Sequence, residues 1–236
     1  MNLSILSWGS NGWGDEFFYA TLMTIAVSIS AFAFGIVLAS FAAAMKLSGK
    51  KSLSIAANTY TTVVRGIPEL LVIYLVFYGS GTVIMSVATS LFGYDEYIEL
   101  PVFLMGVVCI GISSGAYSTE VIRGAVLAVP VGTIEAAKAV GMPTATRFRR
   151  VLLPQVLRYA LPGLGNVWQL TLKETSLISV IGLAEIVRIS QIGANSEKQP
   201  FTFYITGLVL FLLLASASDK GYLSLERWTN RGQRRA

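Results

Sequence analysis

Charged and apolar positions along this chain fall into long blocks. Four stretches carry no charge: Phe17–Met45, Leu70–Phe92, Leu100–Thr119 and Pro200–Ser218. Each can cross a hydrocarbon core, which takes roughly 20 helical residues. A fifth stretch, Tyr159–Ala184, has the same character but is interrupted by Lys173-Glu174. A helix satisfies its own backbone hydrogen bonds in lipid and an open sheet does not, so the spanning elements are helices. The pattern predicts an all-α membrane protein with about five transmembrane helices in one domain.

Composition supports that reading. Only 13% of the 236 residues are charged, against about a quarter in soluble domains, and the mean hydropathy is +0.65. The first apolar run is not read as a cleavable signal, because Asp15 and Glu16 stand where a basic segment would precede it. Cys109 is the single cysteine and is expected to be a small packing residue. The chain has no histidine, which excludes His-based metal or catalytic chemistry. No nucleophile–base spacing stands out either, so a membrane enzyme is the weakest reading and no metal site is expected.

The charges sort by connection. Lys46, Lys50 and Lys51 follow the first run, whereas Asp95, Glu96 and Glu99 follow the second. The third connection, Arg123–Arg158, sets Arg123, Lys138, Arg147, Arg149, Arg150 and Arg158 against Glu135. The fourth is nearly neutral, with Glu185, Arg188, Glu197 and Lys198. The tail carries Lys220, Arg227, Arg231, Arg234 and Arg235 against Asp219 and Glu226. Basic and non-basic connections alternate, so the positive-inside tendency places the N-terminus outside, with Trp8 and Trp13 as interface anchors, and the C-terminus inside. The net charge of +5 then reflects lysines and arginines meeting anionic lipid, with no nucleic-acid partner.

The third connection keeps helical spacing. Thr133 is the expected N-cap, with Glu135 complementing the dipole in the first turn. Ala136, Ala137 and Ala139 favour helix with little bulk, and Gly141 is placed to end it in the left-handed conformation. Pro143 can start a second short helix. Phe148, Val151 and Leu152 recur at helical spacing. Pro154 and Pro162 are expected to break the chain again before the fourth span. On these grounds alone, an interfacial hairpin and a grip for a soluble partner stand level.

Glu135-Ala136-Ala137, then Gly141, then Val151-Leu152-Leu153-Pro154, resembles the EAA signature of ABC importer permease subunits. Further segments are similar to one branch, the polar amino-acid permeases of the histidine, arginine and opine type. These are Arg65-Gly66-Ile67-Pro68-Glu69-Leu70, Gly115-Ala116-Tyr117 with Glu120 and Arg123-Gly124, Leu153-Pro154-Gln155 with Leu157-Arg158, Ala160-Leu161-Pro162 with Asn166, and Lys173-Glu174-Thr175-Ser176-Leu177. The likeness runs from about Phe17 to Ser218. One departure is Glu174, where the branch has Asp.

The resemblance implies a type I ABC importer fold in a bacterial inner membrane. It divides the chain into a periplasmic segment 1–16, a transmembrane domain 17–218 with its EAA loop at about 131–154, and a basic cytoplasmic tail 219–236. The implied partners are an ABC ATPase dimer, a second permease subunit (a paralogue or the chain itself), a periplasmic solute-binding protein and membrane lipid. Glu135, Ala136, Ala137, Lys138, Gly141, Pro143 and Arg147 would form the ATPase-coupling element. No Gly-x4-Gly-Lys-Ser/Thr phosphate loop is present, since Gly49-Lys50-Lys51 lacks the spacing and the hydroxyl. The chain is therefore expected to bind no cofactor, ATP–Mg being used by the partner ATPase.

Ionisable groups at bilayer depth cost on the order of 3 kcal/mol and face the bundle interior, where they pair or meet cargo. Lys173 and Glu174 point apart as helical neighbours, so each meets another helix. A carboxylate, Glu120 or Glu174, would take the cationic end of a substrate, and Arg65 or Lys173 a carboxylate. The alternative is ionic pairing between helices, or an i,i+3 pair for Glu120 and Arg123. Tyr117, Ser118, Thr175, Ser176 and Asn166 would add hydrogen bonds, or serve as helix–helix contacts worth about 0.6 kcal/mol each. Gly111 and Gly115 predict a tight crossing. Tyr60, Tyr74, Phe77 and Tyr78 are read as packing or belt residues of the second span. A competing function is a stand-alone proton-coupled carrier with Glu69, Glu120 and Glu174 as proton sites, although five spans without an inverted repeat suit such folds poorly.

Overall fold

A computed structural model describes residues 3–9, 12–93 and 100–229 of this chain. The acidic connection at 94–99 and the tail from residue 230 lie outside the described residues. After a short 3₁₀ turn, Leu3–Leu6, the described elements are helices α1 (Gly14–Leu47), α2 (Lys51–Gly66), α3 (Glu69–Phe92), α4 (Val102–Ala128), α5 (Val131–Ala139), α6 (Thr144–Arg147), α7 (Leu153–Glu174), α8 (Ile186–Glu197) and α9 (Pro200–Thr229). A π turn, Phe148–Leu152, joins α6 to α7, and a 3₁₀ segment, Thr175–Ile181, follows α7.

Four of these helices, α1, α3, α4 and α9, are long and apolar enough to span a membrane. The fifth crossing is not straight. The helical stretch Thr144–Ile181 meets α8 at a bend of 48°, and Gly182, at φ +93°, turns the chain there. Glu185 completes the break. Fully buried, it accepts hydrogen bonds from the backbone N–H groups of Val187 at 2.9 Å and Arg188 at 2.7 Å. Those donors have no intrahelical partner at the start of a helix. Glu185, which the charge pattern assigned to the nearly neutral fourth connection, is therefore a buried internal cap.

The core is organised around α4, most of which is buried. Its longest and closest contact is with α1. Gly35 of α1 sits against Ser114, Gly115 and the Gly111 carbonyl, leaving no room for a side chain. This is the crossing that Gly111 and Gly115 predicted. Small residues permit such approach where lipid offers no hydrophobic drive between helices. Val27 and Ala31 meet Val107, Cys109 and Ile110 there, with Ile73 of α3 and Ile178 closing the cluster. Cys109 is a fully buried free thiol. At the opposite rim, α8 and α9 pack together. Trp13 crosses edge-on to Phe203 at 5.4 Å and donates to Glu197 at 3.3 Å.

Several local expectations need correcting. α2 is an amphipathic helix of its own between the first and second long helices, where the sequence reading had only a basic connection. Tyr60 belongs to it, and its hydroxyl donates to the Ile112 carbonyl at 2.7 Å. Arg123 continues α4 and forms the i,i+3 pair with Glu120 that the spacing offered. Neither Pro154 nor Pro162 breaks the chain. Pro154 falls in the first turn of α7, where its missing N–H costs nothing. Pro162 lies within α7; inside a membrane bundle, neighbouring groups and local adjustment tolerate a proline.

Candidate functional site

The short helix α5 stands outside the bundle. It begins at Val131 with Pro130 in the cap position, three residues earlier than a cap at Thr133 predicts. Thr133 instead donates its own N–H to the Pro130 carbonyl at 3.0 Å, and Glu135 falls in the middle of the helix. The far end closes as predicted. Gly141 has φ +72°, its N–H donates to Lys138 O at 2.9 Å, and the Met142 N–H reaches back to Ala137 O at 3.1 Å. Those two bonds satisfy the last carbonyls in the left-handed termination that glycine favours. Only Ala137 is buried and Ile134 half-buried; Val131, Glu135, Ala136, Lys138, Ala139 and Val140 are exposed. Ile134 packs into the apolar cluster of Ala125, Val129, Val156 and Ala160. Pro143 precedes α6 directly, and Arg147 folds back to Met142 O at 3.4 Å and Thr144 Oγ1 at 3.3 Å. The result is a nine-residue helix fixed at both ends and presenting most of its surface outward.

The charges in and at the ends of the long helices separate into two groups. In the first, Glu120 of α4 pairs through Oε1 with Lys46 Nζ of α1 and through Oε2 with Arg123 Nε at 3.0 Å. Lys46 also donates to Thr61 Oγ1 of α2 at 2.6 Å, and its side chain is only 5% exposed. Three helices meet at this carboxylate, and both its oxygens are taken by cations.

In the second group, the Arg65 guanidinium of α2 lies over the Tyr117 ring of α4, 5.3 Å from its centroid. The Tyr117 hydroxyl donates to Glu69 Oε1 at 3.3 Å. Glu174, at the end of α7, is within electrostatic range of both Glu69 and Tyr117. Arg65 is exposed and Glu69, Tyr117 and Glu174 are half-buried. Two carboxylates, a phenol and a guanidinium from four helices thus share one open locality. Among the described residues, neither Glu69 nor Glu174 has a cation in ion-pair contact.

The remaining candidates are dispersed. Lys173 is exposed, and Ser176 donates to its carbonyl at 2.7 Å. Thr175 is fully buried and donates to Leu172 O at 2.7 Å. Ser118 is sealed inside the bundle. Sequence reasoning missed Lys46 as the partner of Glu120. Their separation of 74 positions leaves no local trace, although the spacing of Ala57, Thr61 and Val64 does mark α2 as a packed helix.

A bundle with four membrane-length helices, a fifth bent stretch and a short exposed helix between them fits a transport subunit. The match to known proteins is specific. Residues 35–228 match the family described as binding-protein-dependent transport system inner membrane component, and the chain belongs to that family. It is 59% identical to the nopaline transport system permease protein NocQ of Agrobacterium fabrum, over 99% of both chains. It is 50% identical to the octopine transport system permease protein OccQ of Rhizobium radiobacter, over 98% of this chain and 97% of that one. A crystal structure of an amino acid ABC transporter with histidines superimposes with TM-score 0.76 and 31% identity, covering 91% of this chain and 94% of its own. The chain is a type I permease subunit of an ABC importer, and nothing found supports a stand-alone carrier.

Proposed function

We propose that this permease subunit carries basic amino acids or their opine conjugates across a bacterial inner membrane by alternating access. The observation that carries this reading is α5. It is a short helix capped at its far end by Gly141 and turned outward, which suits it to sit in a cleft of an ATPase and transmit displacement to the bundle. Its contact residues are Glu135, Ala136, Lys138 and Gly141, with Ala137 facing inward, and Pro143 and Arg147 hold the turn behind it. ATP and Mg²⁺ belong to two ATPase subunits, and this chain holds no cofactor. A second permease subunit completes the pathway, and a periplasmic binding protein delivers the cargo. The N-terminal segment 1–16 is periplasmic, residues 17–218 form the transmembrane domain, and the tail 219–236 is cytoplasmic.

The open group of Arg65, Glu69, Tyr117 and Glu174 supports a cargo that bears both a cation and carboxylates, as opine conjugates do. Lys173 and Ser176 lie beside Glu174 on the same pathway, whereas Thr175, Ser118 and Glu120 brace it from within the bundle, Glu120 through its ionic lock. The identity to the nopaline and octopine permeases favours an opine over a free amino acid.

Gly141→Leu tests the coupling reading. A left-handed backbone costs a side-chain-bearing residue about 1–2 kcal/mol, so α5 would lose its cap while the bundle stays inserted. The reconstituted importer should hydrolyse ATP without accumulating cargo. Normal uptake by the variant would sink the assignment of α5.

A further inference from the structure

Four arginines lie between the exposed helix α5 and the second turn of α7, and the structure uses only two of them internally. Arg147 turns back onto Met142 and Thr144. Arg158 donates from Nε at 3.1 Å and Nη2 at 3.0 Å to the carbonyl of Thr229, tying the last turn of α9 to α7. Arg149 and Arg150 are exposed and make no ion pair among the described residues. They sit on the π turn Phe148–Leu152, where the Leu153 N–H donates to the Phe148 carbonyl. That i→i+5 bond sets Phe148 and Leu153 one turn apart, with Leu157 a further turn on. All three are exposed, at 54%, 36% and 52%. The clamp from Arg158 brings the end of α9 to the same level. There Trp228 is 63% exposed beside exposed Arg227.

We infer that this knee is a binding surface for an anionic phospholipid. The Arg149 and Arg150 guanidiniums meet the phosphodiester, and an acyl chain lies along Phe148, Leu153 and Leu157. Charge complementarity selects the occupant. A soluble acidic protein would satisfy the guanidiniums but would leave an apolar stripe uncovered. Lipid satisfies both, because Arg with an aromatic neighbour spans the boundary between headgroup and hydrocarbon. A π turn within a helix often marks a functional position, and here it carries both arginines and the first residue of the stripe. The lipid would hold the hinge between α5 and α7 at headgroup level, so that displacement of α5 is borne against the bilayer.

Native mass spectrometry of the importer purified from membranes gives the test, with phosphatidylglycerol and phosphatidylcholine as competing probes. The wild type should retain phosphatidylglycerol preferentially. Each juxtamembrane arginine strengthens attraction to anionic lipid about fivefold, so Arg149→Gln with Arg150→Gln should cut retention roughly thirtyfold. The Arg149→Lys, Arg150→Lys pair should keep most of it. A Phe148→Trp reporter needs no loss-of-function variant, and its fluorescence should be quenched by brominated phosphatidylglycerol more than by brominated phosphatidylcholine. Equal retention by wild type and the Gln pair, or equal quenching by both lipids, overturns the inference. Retained lipid with loss of the ATPase subunit would assign the arginines to a protein interface instead.

Discussion

Glu120 and Glu174 look alike in sequence: each is a carboxylate within an apolar stretch, a few residues from a cation. The structure gives them opposite surroundings. Glu120 is gripped by Lys46 and Arg123, and the Lys46 side chain is almost wholly buried. Glu174 shares an open, half-buried locality with Glu69, Tyr117 and Arg65, without an ion-pair partner among the described residues. The difference teaches that a charge in a membrane protein is read from how many of its bonds are already made. A saturated carboxylate holds helices together, whereas an unsaturated one beside an aromatic-stacked cation is available to a ligand.

That contrast can be broken by substitution. The largest effect is expected at Glu120→Gln, which leaves Lys46 charged, buried and uncompensated. Removing one partner of a buried pair costs about 3–5 kcal/mol, so the melting temperature of the detergent-purified protein should fall steeply and uptake of every substrate with it. The double substitution Lys46→Met with Glu120→Leu should recover most of the loss, since an apolar replacement of both partners is often neutral. A normal melting temperature for Glu120→Gln would show that the pair is not a lock.

At Glu174→Gln or Glu69→Gln the expectation reverses. Stability should stay within about 0.5 kcal/mol of wild type, as for substitutions away from packed or paired sites. Affinity for a cationic opine should weaken by about tenfold, or 1.4 kcal/mol, read from the concentration dependence of uptake in proteoliposomes. Equal weakening for a cargo without a cationic group would undo the distinction drawn here. Tyr117→Phe should be milder still. It deletes a hydrogen bond worth about 0.6 kcal/mol while keeping the ring under Arg65, so uptake should fall two- to threefold at most. Tyr117→Leu also removes the cation–π contact, worth about 0.5–1 kcal/mol, and should do worse. Identical kinetics for the two variants would mean that the stacking contributes nothing.

Much of the architecture could be read before any coordinates. The charge-free runs located α1, α3, α4 and α9 because bilayer thickness imposes a minimum length on any spanning helix. Gly141 announced the end of α5, since few residues adopt its backbone conformation cheaply. The small residues Gly111 and Gly115 announced the crossing with α1. Other features were harder to see. α2 has too few strongly apolar residues to register as a span, and its amphipathic spacing was overshadowed by the basic cluster before it. Thr133 drew attention as a cap because its side chain suits that role, but Pro130 fixes the backbone three residues earlier. Pro154 and Pro162 suggested breaks on local propensity alone, but Pro154 falls in the first turn of α7, where proline is tolerated, and at Pro162 the packed bundle overrides propensity.

By itself the sequence determined which long runs can cross a bilayer, which connections carry cations, and where a short polar helix interrupts them. These are local properties, set by transfer free energy and backbone conformational preference. Tertiary structure alone decided which charges meet. Lys46 finds Glu120, and Arg65 and Glu69 find Tyr117, across long separations, because α1, α2 and α3 all pack against α4, α1 through a glycine-mediated approach. Pairing between distant charges depends on that packing, and a linear pattern carries no record of it.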